Sequence, residues 1–342
     1  MTDRSAAPSL AAQLTAHALS TACAAALRAA VTLGLPEAVG DRAATPAELA
    51  VTLDVDATAL HRLLRLLTSH GVFAEDDAGG YRHTPESLLL RRDSPDCLAD
   101  LVLWCTEPWT WSLWGHLDTA VRTGTEIFTG VHGRRFYEHL PEAWPDSAQV
   151  FDRAMTQQSR SAARAVAETL ASETITAIAD VGAGQGTVLA ALLERCPAAT
   201  GYLLDLPHVV ADAGERFHPG GDLAERVRLT PCDCLREVPA RAELYLLKNI
   251  LGMDDDNAVR IVRNVVRAAP PGARVVIVEN LIDDGPTRPL ATALDLRMLL
   301  VIGGRKHTLP GLLSIVERGG LIVSEVRPVD ADLHMIDASV PG

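Results

Sequence analysis

The sequence predicts an α/β protein in two parts, a helical N-terminal domain followed by a parallel β-sheet with helices on both faces. Three observations carry this. Near residue 172 the hydrophobic period changes from helical spacing to short apolar runs alternating with amphipathic stretches. The first of those runs ends in Asp180-Val-Gly182-Ala-Gly184-Gln-Gly186, a glycine-rich turn that opens a helix. A chain of 342 residues also exceeds what one core usually holds.

The N-terminal elements come first. LAAQLTAHALSTACAAALRAAVTLGL reads as one Ala/Leu-rich helix with Gly34 as its stop. Thr45-Pro46-Ala47-Glu48 opens a second: Thr45 caps, Pro46 suits the first turn, and Glu48 completes a capping box. ATALHRLLRLLTSHG is a third, with leucines at 60, 63, 64, 66 and 67. GVFAEDDAGGYRHT reads as two short strands around a Gly-Gly turn, which completes a winged-helix shape. Its third helix offers His61, Arg62 and Arg65 to a DNA groove. The leucine spacing turns one face to a core, however, and leaves little polar surface. Scaffolding and dimerisation are the expected roles of this domain.

All five tryptophans, Trp104, Trp109, Trp111, Trp114 and Trp144, fall between 104 and 144, in a chain with 4% aromatic residues. They read as a packed helical core, as an apolar wall of a ligand pocket, or as both. The expected organisation is therefore a winged-helix-like domain over 1–100, linking helices over 101–170 and the sheet domain over 171–342.

In the sheet domain ITAIADVGA reads as a strand and TVLAALLERC as a helix. GYLLDL follows as a strand, VVADAGERF as a helix and VRLTPCD as a strand. AELYLLKNI is a strand, DDDNAVRIVRNVVRAA a helix and ARVVIVENL a strand. TLPGLLSIVERGG is a helix with a Gly-Gly stop, and LIVSEVRPV is the last strand. Such alternation builds a parallel sheet.

Composition narrows the function classes. Hydrophobic residues make up 48%, charged residues 22%, and the formal net charge is −13. That acidity disfavours nucleic acid and anionic membranes as partners. No uninterrupted apolar run reaches bilayer length, and MTDRSAAPSLAAQL lacks the pattern of a secretory signal, so a cytoplasmic location is expected. Cys23, Cys97, Cys105, Cys196, Cys232 and Cys234 are scattered and read as reduced thiols, with no metal site.

The glycine-rich turn has G-x-G-x-G spacing, with Thr187 where a dinucleotide fold wants a third glycine. Asp180 leads the pattern, which suits a cationic aminoacyl sulfonium better than a pyrophosphate. Asp205 ends the second strand, where an acid accepts from a ribose diol, and Asp233 ends the third, within reach of an adenine amine. Each acid alone reads equally as a cap or a solvated loop residue. Three at successive strand ends beside a glycine-rich turn form a site.

At these residues the sequence resembles a known family. DVGAGQG, LLDLPHVV, PCDCLREVP, AELYLLKNIL and DLRMLLVIGGRKHT, together with FDRAM and the winged-helix region, are similar in order to motifs of S-adenosylmethionine-dependent O-methyltransferases. These include the plant caffeate type and bacterial relatives that tailor polyketides and antibiotics. The resemblance covers nearly the whole chain. It implies a Rossmann-like class I methyltransferase sheet and a homodimer built through the N-terminal domain. It also implies S-adenosylmethionine, or its product S-adenosylhomocysteine, bound at Asp180, Gly182, Gly184, Gly186, Asp205, Leu206, Asp233, Cys234 and Lys248. A small aromatic or polyketide-like substrate would lie against Trp104, Trp109, Met155, Asn249, Gly252 and Met298.

The chain departs from the family where a base is expected. The family's L-K-x-x-L-H-D-W-x-D reads Leu247-Lys248-Asn249-Ile250-Leu251-Gly252-Met253-Asp254-Asp255-Asp256, so Gly252 stands for the His and Asp254 for the Trp. Of two flanking acids, Glu279 is kept. The other falls in Gly303-Gly304-Arg305-Lys306-His307-Thr308 and has become Lys306. A phenol with a pKa near ~10 normally needs a base, which contributes on the order of 10²–10⁴-fold. Three readings stay open. The substrate is nucleophilic without help; another group, His307, His132, His139 or Asp254, is the base; or methyl transfer has given way to hydroxylase or pericyclic-cyclase chemistry with the cofactor as a structural element. The catalytic candidates are Glu279, Lys306 and His307, and in the last reading Lys306 polarises a carbonyl. An inactive binding partner is the remaining alternative.

Overall fold

A computed structural model describes residues 9–170, 175–282, 289–329 and 333–342. The expected domain boundary at 171 and the first eight residues of the N-terminal segment lie outside the described residues. The chain divides into two compact units, Met1–Pro108 and Trp109–Gly342.

In the first unit the long N-terminal helix is two. Helices Leu10–Ala18 and Ser20–Leu33 meet at Leu19 with a bend of 44°. The break has a plain cause. Leu10–Ala18 buries none of its residues, so no core contact holds it in line with its neighbour. Gly34 ends the second helix in the left-handed conformation, φ 73°, as expected of a glycine stop. The Thr45/Glu48 capping box forms in both directions ahead of helix Pro46–Leu53. Helix Ala57–Ser69 buries Leu60, Leu64 and Leu67. Strands β1 (Phe73–Glu75) and β2 (Tyr81–His83) pair antiparallel as the wing. Trp104 is buried within helix Ala99–Cys105.

The second unit carries a seven-stranded sheet. Its strands are β3 (Ala177–Val181), β4 (Thr200–Asp205), β5 (Val227–Pro231), β6 (Leu244–Lys248), β7 (Arg274–Asn280), β8 (Ile322–Pro328) and β9 (Leu333–Ser339). They lie in the order β5-β4-β3-β6-β7-β9-β8. Two corrections follow. The sheet is mixed, because β9 runs antiparallel between β7 and β8. The run LHMIDAS gave no signal for it. Helix 209–217 is also two pieces, Pro207–Ala211 and a 3-10 turn Glu215–Phe217, because Gly214 interrupts the helical spacing.

The chain lays down β3, β4 and β5 outward, then returns to place β6 on the other side of β3. That reversal opens a crevice at the carboxyl ends of β3 and β6. Leucine and valine side chains of the strands pack into one core on each face, so the strand-end loops stand on a rigid base. Asp180 and Lys248 reach the crevice because β3 and β6 are in parallel register, with Asp180 opposite Leu246.

Candidate active site

The glycine-rich turn is built around close approaches. Gly182, Gly184 and Gly186 all have positive φ, between 57° and 82°. A Cβ on Gly182 would fall 2.1 Å from Ile250 Cδ1, and one on Gly186 would fall 2.4 Å from the Phe217 ring. Side chains are impossible there without rearrangement. At Gly184 a Cβ would meet nothing within 4 Å, so this residue presents its backbone to open space.

Asp205 fixes the turn. Its Oδ2 accepts the Gly184 N–H at 2.8 Å, and its Oδ1 accepts the Leu206 N–H at 2.7 Å. Burial nevertheless raises its pKa. Asp180 is buried, and burial pushes its carboxyl up to about 7. Its Oδ2 finds no hydrogen-bond partner among the described residues. An orphaned, buried carboxylate oxygen is costly unless something charged or polar meets it.

Sequence reasoning missed three neighbours of this turn. Asp152, on helix Pro145–Leu170, is pushed up to about 7 by burial and by the nearby Asp212 and Asp205. One turn later on that helix the Thr156 hydroxyl donates to Gln185 Oε1 at 2.7 Å, tying the helix to the glycine-rich turn. Tyr137 is 42% exposed, yet burial raises its phenol to about 12, with Asp205 and Cys234 adding to the shift. Asp152 stood inside the FDRAM run, the one available signal; nothing in the sequence marks Tyr137 or Thr156.

Asp233 and Cys234 follow β5 in the loop beyond Pro231, past the strand end where the sequence reading put Asp233. The Asp233 Oδ1 accepts the Leu235 N–H at 3.0 Å, so part of its hydrogen-bonding capacity shapes its own loop. Burial raises the Cys232 and Cys234 thiols to about 11 and about 12, which makes both poor nucleophiles. Cys23, Cys232 and Cys234 are free thiols.

The ends of β6 and β7 form the other half of the crevice. Burial lowers Lys248 to about 8, while Glu279 and Asp180 oppose the shift. Glu279 is buried; burial raises its pKa and Lys306 holds it down. Glu279 accepts the Leu251 N–H at 2.8 Å, and His307 Nε2 donates to the Leu251 carbonyl at 2.9 Å. The two residues thus hold both backbone groups of Leu251. The other nitrogen of His307 faces Asp255 at 4.0 Å. His307 thus shapes the loop, with Nδ1 turned towards Asp255.

Asn249 adopts φ 51°, rare for a residue with a side chain. It is held there by a reciprocal pair: its Nδ2 donates to Asn280 Oδ1 at 3.0 Å, and the Asn280 N–H donates to its Oδ1 at 3.2 Å. Gly252 follows, buried. A Cβ on it would lie 2.6 Å from Met298 Cε, so the thioether of helix Pro289–Ile302 occupies the direction a side chain at 252 would take. The segment carrying Lys306 covers this loop, since a Cβ on Gly304 would fall 2.3 Å from the Gly252 carbonyl.

The other candidate bases are Asp254, His132 and His139. Asp254 is the cap of helix Asp255–Ala268, accepting the Asn257 N–H at 3.0 Å. His132 and His139 join Trp109, Phe128, Phe136 and Trp144 in an aromatic cluster, 4.5 Å from Phe128 and 4.6 Å from Trp144 respectively. Burial lowers the pKa of His132. Trp109 stacks on Trp144 at 5.7 Å. The tryptophan run in this unit is thus partly core. Met155 is half-buried beside Thr156.

Comparison with known proteins decides the family. The O-methyltransferase domain family matches residues 114–321, and the O-methyltransferase dimerisation domain matches residues 15–93. The chain belongs to the O-methyltransferase family. It is 34% identical to the mitomycin biosynthesis 6-O-methyltransferase of Streptomyces lavendulae over 90% of this chain and 87% of that one. It is 33% identical to the aclacinomycin 10-hydroxylase RdmB of Streptomyces purpurascens, over 92% and 85%. Among solved structures, a methyltransferase of calicheamicin biosynthesis in its S-adenosylhomocysteine-bound form superimposes with a TM-score of 0.83. It is 29% identical and covers all of both chains.

Proposed function

We propose that this protein transfers a methyl group from S-adenosylmethionine to an oxygen of a small aromatic or polyketide-like molecule in natural-product biosynthesis. The observation that carries it is the glycine-rich turn pinned by Asp205, with Gly184 open beside it and three acids, Asp152, Asp180 and Asp205, each carrying a raised pKa. Acids held together above their ordinary pKa favour a cation among them, and the sulfonium and ammonium of this cofactor are cations. The family membership and the relatives' printed activities agree.

When bound, that cofactor supplies an electrophilic methyl group on sulfur. Asp205 would hold the ribose, Asp233 and Cys234 the adenine side, and Gly182, Gly184 and Asp180 the amino-acid end. Lys248 lies within electrostatic reach of Asp180 and Glu279. Asn249, Gly252, Met298, Met155 and Trp109 would shape the acceptor side. Calorimetry with S-adenosylmethionine and S-adenosylhomocysteine tests the reading, and no binding of either by the wild-type protein sinks it.

The N-terminal unit supports a homodimer. Helix Leu10–Ala18 leaves Leu10 and Leu14 more than 70% exposed, an apolar stripe that a second copy would cover. No single described helix is long and apolar enough to cross a membrane. Free thiols at Cys23, Cys232 and Cys234 fit a reducing, cytoplasmic compartment. A second reading, hydroxylation, is favoured by one observation, the RdmB relative, in combination with the missing base at Gly252.

A further inference from the structure

We propose that the cleft between helix Asp255–Ala268 and helix Leu309–Arg318 binds an oligophosphate group. This site does not depend on the methyl-transfer reading. The cleft has a volume of about 430 Å³, and Asp256, Val259, Arg260, Arg263, Arg267 and Arg318 line it. Small-molecule sites run from ~300 to ~1,000 Å³. Four guanidiniums in one concavity are unexpected in a chain whose formal net charge is −13.

The helix sets their spacing. Arg260, Arg263 and Arg267 stand three and four residues apart and share one exposed stripe. Like charges at that spacing repel, and among the described residues no carboxylate lies within salt-bridge distance of these three guanidiniums. The acids of the same two helices are engaged elsewhere or turned to solvent. Asp254 caps the first helix, accepting the Asn257 N–H. Asp255 faces Arg305 at 3.0 Å and His307 at 4.0 Å, and Asp256 faces Arg318 at 3.4 Å. Glu317 is exposed and does not line the cleft. The two helices are therefore balanced as a whole, while the cleft itself holds four arginines against one aspartate. The acids stand in the first turn of helix Asp255–Ala268 and the arginines further along it.

Two of these side chains are already held in place. Arg263 Nη2 donates to the Arg318 carbonyl at 3.2 Å. Arg267 Nε donates to the Arg263 carbonyl at 3.4 Å, and its Nη2 to Asn264 Oδ1. Asn264 is buried and anchored in turn, its Nδ2 donating to the Cys234 carbonyl at 2.7 Å. These acceptors are neutral, so they orient the guanidiniums without cancelling their charge. A guanidinium has five N–H donors, so several remain for a ligand. Its planar fork matches the oxygens of a phosphate. The stripe spans seven residues, about 10 Å along the helix axis. One phosphate is shorter than that, whereas linked phosphates can meet successive arginines.

Calorimetry of the full chain at low ionic strength, with inorganic tripolyphosphate as the probe, tests the site. The wild type should bind it. Arg260→Gln and Arg263→Gln should each weaken binding by about tenfold or more. Arg122→Gln, an exposed arginine on helix Leu117–Thr123, should leave it unchanged. Without ligand, Arg260→Gln should melt no lower than wild type, because it removes repulsion, so loss of binding is not loss of fold. Cytidine triphosphate separates the two sources of the group: tighter binding than tripolyphosphate assigns it to a larger molecule, equal binding to the free ion, and either supports the site. No binding of either probe overturns the proposal, as does an equal loss in Arg122→Gln. A glutamate-rich peptide that binds more tightly than both probes also overturns it and makes the cleft a docking face for an acidic protein.

Discussion

The strand ends on the two sides of the crevice meet their loops differently. At β3 and β4 the loop is shaped by backbone approaches and by one carboxylate, Asp205, that accepts two N–H groups. At β6 and β7 side chains shape it: Glu279 and His307 hold Leu251, Asn280 holds a strained Asn249, and Met298 covers Gly252. The first side is acidic. The second carries Gly252 and Lys306 where the family resemblance leads one to expect a base and an acid. A donor shared by a whole family constrains its half tightly, whereas acceptors differ and their half changes with them.

The contrast breaks most readily at Asp205. Its replacement by Ala strips two backbone donors of a charged acceptor, each hydrogen bond worth ~1.5–3 kcal/mol. Affinity for S-adenosylhomocysteine should fall by about 10²–10³-fold in calorimetry. Equal affinity in Asp205→Ala and wild type would remove Asp205 from the site.

Gly186→Ala asks whether the donor half tolerates a Cβ. The new atom meets the Phe217 ring at 2.4 Å and Leu203 at 2.8 Å, with φ at 82°. Strain and overpacking should cost about 2–4 kcal/mol in urea unfolding. A loss under about 1 kcal/mol would show that the Phe217 turn yields easily.

On the acceptor half, Gly252→His should cost about 1–3 kcal/mol because Met298 must leave. Adding Met298→Ala should recover much of that loss. The double variant carrying Lys306→Glu as well should gain methylation of catechol-like acceptors, which wild type should barely methylate. No gain in the triple variant, in a coupled assay for released S-adenosylhomocysteine, would show that the acceptor half lacks more than its base.

The smallest expected effect is a pH signature of the acidic donor half. An acid with a folded pKa above its unfolded value stabilises the fold fully below the unfolded value, near ~4, and loses that contribution as pH rises through the folded one. For Asp152 and Asp180 the folded value is about 7. The ligand-free protein should therefore lose stability between roughly pH 4 and pH 7 from these groups. Asp152→Asn should raise the melting temperature by roughly 2–4 °C at pH 8 and leave it unchanged at pH 4. An equal shift at both values would assign the effect to packing. Light scattering of the wild type, separately, should give twice the 36.5 kDa chain mass, and Leu10→Asp with Leu14→Asp should halve it.

Much of the donor half was legible in the sequence, because its determinants are local. A glycine is needed wherever φ is positive or a neighbour comes within contact of a Cβ, and the turn's three glycines stand two residues apart. Asp205 ends β4 as the sequence places it, because strand ends can be counted, whereas Asp233 lies beyond the last residue of β5, Pro231. Caps and stops were legible for the same reason: Thr45 and Glu48 are three residues apart, and Gly34 directly follows its helix. The absence of a His at 252 and the presence of Lys306 could also be read directly.

Tertiary structure decided what lies between distant residues. That Met298 fills the space beside Gly252 depends on packing across 46 positions, and a methionine in an apolar helix carries no mark of it. That His307 and Glu279 clamp the same residue depends on loops from three strand ends meeting. Asp152 and Tyr137 entered the crevice only through the placement of the helices before β3. The antiparallel β9 stayed hidden because one strand's direction is set by its neighbours' free edges. Local rules fix what a residue can do with its own backbone; which charges and side chains it faces is settled by packing, where sequence separation has no bearing on distance.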